Sequence, residues 1–413
     1  MVSWKLRKKF ERHETLPEPL PETLPKTPSL PYEILLLIVQ LSDKRSLVRL
    51  IRTCHRLRRF GEPILYRHIR AHQDDRGRNL HRMLVGRPDL LPVILSYHGP
   101  LIMAEANDAK AEGIISSGLS KGEALWRKMR IATRKWVMND PDPVERAKII
   151  FSGAVNIRVL HFTDTRTNPE YAQVFGDAGA PLGSKATNIQ SLVLNVGSGS
   201  PHLALGPILR VQLRLKHLEL RLKIYVPIEL DKTDLPELES LKAKLRYAAK
   251  IVPGRPVKRL ELLGDWRPSR NSLQQLALST CGITELTAKI GFRRGDLRDE
   301  ASVRALAQSL RGIERLCFLL IGPMMGTSLR AGLRAYRSLS HLTLVGPVYW
   351  KRNITFSDEW QPPVPYHPML YARYVEDLKA SCPALVEVCW SETATESCCG
   401  WDEEDPDVFR ITQ

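Results

Sequence analysis

Apolar residues near the start of the chain recur at helical intervals. Ile34, Ile38 and Leu41 fall four and three residues apart, with Leu35 widening the stripe, which is the spacing of an amphipathic helix. Pro31 suits the first position of that helix, where a missing N–H costs nothing, and Glu33 faces the positive end of its dipole. Ser42 and Asp43 supply a stop and a new N-cap. A second helix follows, with Leu47, Leu50, Cys54 and Leu57 on one face and Arg45, Arg49, Arg52, Arg56 and Arg59 on the other. Pro63 opens a short third helix carrying Ile64, Leu65 and Tyr66.

Beyond residue 144 the pattern changes. An apolar-x-x-apolar-x-apolar unit returns at Ile157/Leu160/Phe162, Ile189/Leu192/Leu194, Leu215/Leu218/Leu220, Val257/Leu260/Leu262, Ile283/Leu286/Ala288, Ile313/Leu316/Phe318, Leu339/Leu342/Leu344 and Leu385/Val388/Trp390, with a degenerate copy at Leu238/Leu241. Each copy predicts a short strand. Stretches at helical spacing precede several of them: Val144 to Phe151, Ser272 to Leu278, Ala301 to Leu310, Leu329 to Tyr336 and Tyr371 to Ala380. Strand and helix alternating at this period predict an α/β solenoid, in which each unit hides its apolar edge against the next. A doubly wound parallel sheet would show longer continuous apolar strands. Residues between the buried strand positions then share one concave face: His161, Glu219, Glu261, Thr287 and Thr343 in a central row, flanked by His217, Arg259, Glu285, Arg315 and His341. These are the candidate substrate contacts. Their mixed signs suit a protein or peptide better than a phosphate backbone, although for any one of them a merely solvated face explains the pattern as well.

The chain thus divides into a basic, Pro-rich tail over 1–28, the three helices over 29–70, a mixed helical connector over 71–143, the solenoid over 144–395 and an acidic tail over 396–413. Within the connector Leu91 to Tyr97 has a strand-like pattern and Ala124 to Val137 a helical one. Long insertions interrupt the solenoid at 163–187 and at 349–368, the second holding Trp350 and Trp360 as candidate anchors for a partner.

Three amphipathic helices in about forty residues bury little surface, so part of their apolar face needs a partner. Spacing alone leaves open whether that partner is the rest of the chain or another protein. The order Leu-Pro-x-Glu-Ile, an apolar helix, an Asp-led helix with Leu-x-x-Leu and a Cys, then Leu-Tyr-Arg-His-Ile resembles an F-box along its whole length. The heavy arginine load on the second helix is a departure that the pattern tolerates. The resemblance implies docking to a Skp-type adaptor and, through it, to a cullin ligase core. Leu30, Pro31, Ile34, Leu35, Ile38, Leu47, Leu50, Cys54, Leu57 and Leu65 match the apolar positions of the motif. The later units resemble irregular leucine-rich repeats, whose strand core has the same L-x-x-L-x-L spacing. The segment Leu378 to Val388 resembles the helix-Cys-Pro-x-Leu junction of F-box proteins with such repeats, although the Asn expected after the strand core is mostly absent. Together these resemblances imply a non-catalytic substrate adaptor that brings an unknown target protein to ubiquitination. The alternative is a repeat scaffold with no ligase attached.

Composition narrows the classes. With 43% apolar and 26% charged residues the chain is globular. No apolar run reaches the roughly eighteen residues of a membrane span, and no apolar stretch follows the basic residues Lys5, Arg7, Lys8 and Lys9. Seven cysteines without a C-x-x-C pair predict reduced thiols inside a cell, in cytoplasm, nucleus or both. The spacing of Cys382, Cys389, Cys398 and Cys399 does not fit a zinc template, and neither metal nor cofactor is expected. The net charge of +16 attracts acidic partners, but its spread over the chain and the lack of a zinc-finger or RNP-like pattern speak against nucleic acid. Gly118-Leu119-Ser120-Lys121-Gly122 has the form of a hydrolase nucleophile elbow without the buried strand such an elbow needs. Gly179 to Lys185 has the wrong spacing for a phosphate loop. No catalytic residue is expected.

Overall fold

The computed structural model describes residues 30–100, 102, 141–164, 188–197, 205–223, 225–264, 269–291, 298–321, 332–345, 376–391 and 409–411. The chain divides into two compact units after Leu65.

The first unit holds helices α1 (Tyr32–Leu41), α2 (Lys44–Leu50) and α3 (His55–Leu65). Asp43 caps α2 by accepting from the backbone N–H of Arg45 and Ser46. The expected second helix is divided, and Leu57 belongs to α3. Two local bonds cause the break: the Thr53 hydroxyl donates to the Leu50 carbonyl at 2.7 Å, and the Cys54 sulfur accepts from the Leu57 N–H at 3.4 Å. Short side chains that bond their own backbone compete with helix continuation in this way. Pro63 therefore lies inside α3 rather than at the start of a third helix. Val39, Leu47 and Leu57 form the small core, with Leu35, Leu50, Ile51, Phe60, Ile64 and Leu65 packed around it. A Cβ at Gly61 would stand 2.4 Å from Ile51 Cγ2, so glycine lets α3 approach that closely.

Among the described residues the second unit is built on a twelve-stranded sheet whose strands lie side by side in chain order. They are β1 (His68–Arg70), β2 (Ser96–Gly99), β3 (Val159–Asp164), β4 (Ser191–Val196), β5 (His217–Leu222), β6 (Ser240–Lys244), β7 (Arg259–Leu263), β8 (Glu285–Gly291), β9 (Arg315–Ile321), β10 (His341–Val345), β11 (Glu387–Ser391) and β12 (Phe409–Ile411). The first eleven are parallel, and β12 runs antiparallel to β11. The pairing never slips from one predicted copy to the next. Leu160, Leu192, Leu218, Leu241, Leu260, Leu286, Leu316, Leu342 and Val388 stand in one row across the sheet.

That row and its neighbour form one core with the helices of this unit: α4 (Asp75–Val85), α5 (Pro143–Gly153), α6 (Leu205–Arg210), α7 (Leu245–Ile251), α8 (Arg270–Leu276) and α9 (Arg298–Ser309). Burial alternates along the strands, as in β4, where Leu192, Leu194 and Val196 are buried and the residues between them are half-exposed. Each buried aliphatic side chain is worth roughly 1.5 to 3 kcal/mol before chain entropy is subtracted. Because every unit shares its apolar edge with the next, no single one stands alone.

The sheet starts upstream of residue 144, where the triplet pattern begins. β1 and β2 carry only Ile69 and Tyr97 to the core. At the place of a third apolar residue β2 has Gly99, whose φ is +146° and where a Cβ would meet the Ala71 carbonyl oxygen at 2.4 Å. A triplet cannot form there. Residues 66–70, expected with the helices, fall in the sheet unit, where β1 pairs with β2. Leu91 to Tyr97 is likewise part 3₁₀ turn (Pro88–Val93) and part β2. Apart from Thr163 and Asp164 in β3, both expected insertions lie outside the described residues. So do Trp350, Trp360, the tail 1–28, the helix at Ala124 to Val137, the segments Gly118 to Gly122 and Gly179 to Lys185, and the acidic tail apart from β12. Among the described residues no helix is long and apolar enough to cross a membrane.

Candidate functional site

Two surfaces stand out, one on each unit. On the first, α1 turns apolar side chains outward. Leu30, Leu37 and Leu41 keep 53%, 50% and 84% of their surface exposed, and Tyr32, Ile34 and Ile38 are exposed beside them. Residues 34, 37, 38 and 41 share one helical face, and Leu30 lies just ahead of the helix. Its opposite face carries Val39 and the half-buried Leu35 into the core. An exposed run of large apolar side chains is the informative exception on a soluble surface.

The residues matched to the motif separate accordingly. Leu30, Pro31, Ile34, Ile38 and Cys54 are exposed, and Leu35, Leu50 and Leu65 are half-buried. Leu47 and Leu57 are buried, so they hold the three helices together and are not themselves available to a partner. The spacing of the α1 residues singled out Leu41 but not Leu37 or Tyr32. Exposure marks all three.

On the second unit the open face of the sheet carries two polar rows in the register of the strands. The first runs Ser191, His217, Ser240, Arg259, Glu285, Arg315 and His341, and the second His161, Val193, Glu219, Lys242, Glu261 and Thr287. A groove of about 590 Å³ lies over β4 to β9, and His217, Glu219, Arg259, Glu261, Glu285 and Arg315 all line it. His161 and His341 lie in the same rows, outside the groove. Thr343, expected in the central row, is buried, as are Cys317 and Cys389 on either side of it.

Cross-strand ion pairs organise the groove. Lys242 reaches Glu261 at 2.8 Å and Glu219 at 3.7 Å, Arg221 also pairs with Glu219, and Arg315 stands 3.8 Å from Glu285. Lys242 was not among the expected contacts. The shortened copy Leu238/Leu241 stops before Ala243; extending it to Ala243, as the copy in β8 extends to Ala288, puts Lys242 in the central row. At the N-terminal edge of the sheet the His98 and His161 rings meet with their Nδ1 atoms 3.4 Å apart. Burial lowers the pKa of both, and His161 lowers that of His98 further. Burial likewise holds His217 low, with Arg259 adding to the effect. These imidazoles are therefore neutral hydrogen-bonding groups at neutral pH. Among the described residues no group of three or more His, Cys, Asp and Glu is placed to hold a metal ion, and the described cysteines are free thiols.

Comparison with known proteins bears on the first surface. Residues 27–72 match the F-box-like family model, a span that includes all three helices and β1. No curated protein matches the chain. The match identifies an F-box-like domain, a module of protein interaction that typically binds Skp-type adaptors, in the unit that carries the exposed apolar face.

Proposed function

We propose that the chain is a non-catalytic substrate adaptor. Its F-box-like helices dock to a Skp-type adaptor and so to a cullin ligase core, and the open face of its sheet holds a target protein for ubiquitination. The observation that carries this reading is the apolar face of α1, exposed within the segment that matches the F-box-like model. Such a face loses free energy in water and gains it against another polypeptide. The sheet supports the second half of the proposal. Parallel strands in chain order, an unslipped register and helices sharing one core are what a leucine-rich-repeat-like solenoid requires. Ubiquitin transfer then falls to other subunits, and the chain contributes proximity and orientation. This role belongs in the cytoplasm, the nucleus or both.

Co-purification tests the docking. The full chain retains a Skp-type adaptor, whereas Ile34→Ala combined with Ile38→Ala weakens retention at least tenfold, because each truncated anchor costs roughly 1 kcal/mol or more. Both side chains are exposed, so the variant keeps its fold, which an unchanged unfolding midpoint verifies. Equal recovery of adaptor by both chains, or by neither, contradicts the proposal and favours a repeat scaffold outside any ligase.

A further inference from the structure

We infer that the middle of the open face receives an anionic side chain on an extended acidic segment of the target, and that Arg259 is the residue that holds this charge. The inference rests on the reading that the open face binds the target, and it narrows what that target must present.

The groove is close to neutral, yet its charges are not equally occupied. Each of its acidic side chains has a partner: Glu219 pairs with Arg221 and Lys242, Glu261 with Lys242, and Glu285 with Arg315. Arg259 is exposed, and its guanidinium has no ion pair or hydrogen bond among the described residues. Glu285 lies directly across from it in the register, but turns to Arg315 instead. A planar guanidinium offers a fork of donors that matches a carboxylate or a phosphate. Left unpaired among satisfied charges, it is the position where an added anion gains a partner without breaking an existing pair.

The neighbours of Arg259 fit the same ligand. Ser240 stands opposite it on β6, with His217 and Ser191 next in the row on β5 and β4. All three line the groove with Arg259. They are hydrogen-bonding groups without formal charge, since burial and Arg259 both disfavour the protonated form of His217, whose other charged neighbours are Glu239 and Lys216. Adjacent strands are about 4.8 Å apart, so the row from Ser191 to Arg259 spans roughly 14 Å. About four residues of extended peptide cover that length. Among the described residues lining the groove, Arg259 is the one cation without a partner, and beside neutral donors it selects one anion. A nucleic-acid backbone would instead meet the carboxylates of Glu219, Glu261 and Glu285 in the same groove, whereas its affinity rests largely on positive charge. The net charge of +16 adds a general attraction for acidic partners.

The test uses the full chain on arrays of decapeptides with randomised flanks and one fixed central residue: Glu, phosphoserine, Gln or Lys. The account predicts at least tenfold greater retention on Glu or phosphoserine arrays than on Gln or Lys arrays, and loss of that preference in Arg259→Gln. Preference for phosphoserine over Glu assigns the anion to a phosphorylated target, and equal retention assigns it to any acidic one. An Arg259→Gln chain with the wild-type unfolding midpoint and an undiminished preference for Glu overturns the inference, as does preferential retention on Lys arrays. Retention with no preference at all overturns the anion site alone, whereas no retention on any array also removes the open face as the target surface. Tight binding of a single-stranded oligonucleotide that depends on Arg259 overturns the choice of a peptide. Arg259→Gln still captures the Skp-type adaptor in every case, which separates failure here from failure of the docking reading.

Discussion

Arg255→Met lowers the stability of the sheet unit by roughly 3 to 5 kcal/mol, a larger loss than any surface substitution on the groove produces. Arg255 is 1% exposed, yet among the described residues its guanidinium is in no ion pair. It donates instead to four backbone carbonyls: Asp231 at 2.6 Å, Asp234 at 2.8 Å, Pro253 at 3.0 Å, and Ile251. Two of these belong to the turn before β6 and two to the end of α7, so one side chain ties successive units together. The turn needs that tie. Leu235 adopts a φ of +55°, the left-handed region that a bulky residue avoids, and it does so while buried. Methionine matches the length of arginine but donates nothing, and leaves the carbonyl of buried Ile251, with those of Asp231, Asp234 and Pro253, without this donor. Urea unfolding of the full chain measures the loss, and amide exchange locates it in β6 and α7. Arg255→Lys recovers only part of it, since a single ammonium cannot reach carbonyls on both sides of the guanidinium plane.

The second large effect is one of pH. His81 on α4 is fully buried, and its Nε2 lies 2.8 Å from the Tyr97 hydroxyl. Tyr97 gives its own proton to the Pro100 carbonyl, so His81 donates through Nε2–H and is neutral. Its Nδ1 has no partner among the described residues. Burial first, and then the nearby Arg146 guanidinium of α5, push its pKa from 6.5 down to about 4. A histidine whose pKa is depressed on folding contributes stability that is complete above pH 6.5 and is lost as the pH falls towards the folded value. Between those limits the unfolded chain takes up a proton that the folded chain refuses. The loss amounts to roughly 3 kcal/mol by pH 4. His81→Gln, which keeps a neutral donor for Tyr97, lacks this dependence. Unfolding free energies of the two chains, measured between pH 7 and 4, therefore shift relative to one another by about that amount, against the wild type, as carboxylate effects common to both cancel. Parallel curves would show that His81 is protonated in the folded state.

The fold was legible where one residue type could satisfy the geometry. A strand buried on one side and packed at both ends needs the apolar-x-x-apolar-x-apolar triplet, and from β3 to β11 the triplet or its shortened form marks each strand. Where a close approach replaced a side chain, as at Gly99, the triplet was lost, so β2 showed only as the strand-like run Leu91 to Tyr97, and β1 was not legible. The division between α2 and α3 was hidden for another reason. Leu47, Leu50, Cys54 and Leu57 keep helical spacing across it, and only the backbone bonds of Thr53 and Cys54 break the run. On α1 the difficulty was an excess of signal. Residues 34 to 39 read Ile-Leu-Leu-Leu-Ile-Val, apolar on every side, so spacing could not decide which stripe faced the core. The structure puts Val39 inside and Ile34 and Ile38 outside. On the open face, alternation named six of the groove's charged and histidine residues. It missed Lys242, which links two of them, because the shortened copy Leu238/Leu241 stops before Ala243, although Ala288 fills the same place in β8.

Amide hydrogen exchange of the full chain, free and mixed with a purified Skp-type adaptor, tests most directly whether the outward face of α1 exists for another polypeptide. The account predicts that the adaptor slows exchange at least tenfold across residues 32–41 while leaving β4 to β9 unchanged. Exchange across α1 that is the same with and without the adaptor, at concentrations saturating for known F-box proteins, would contradict it.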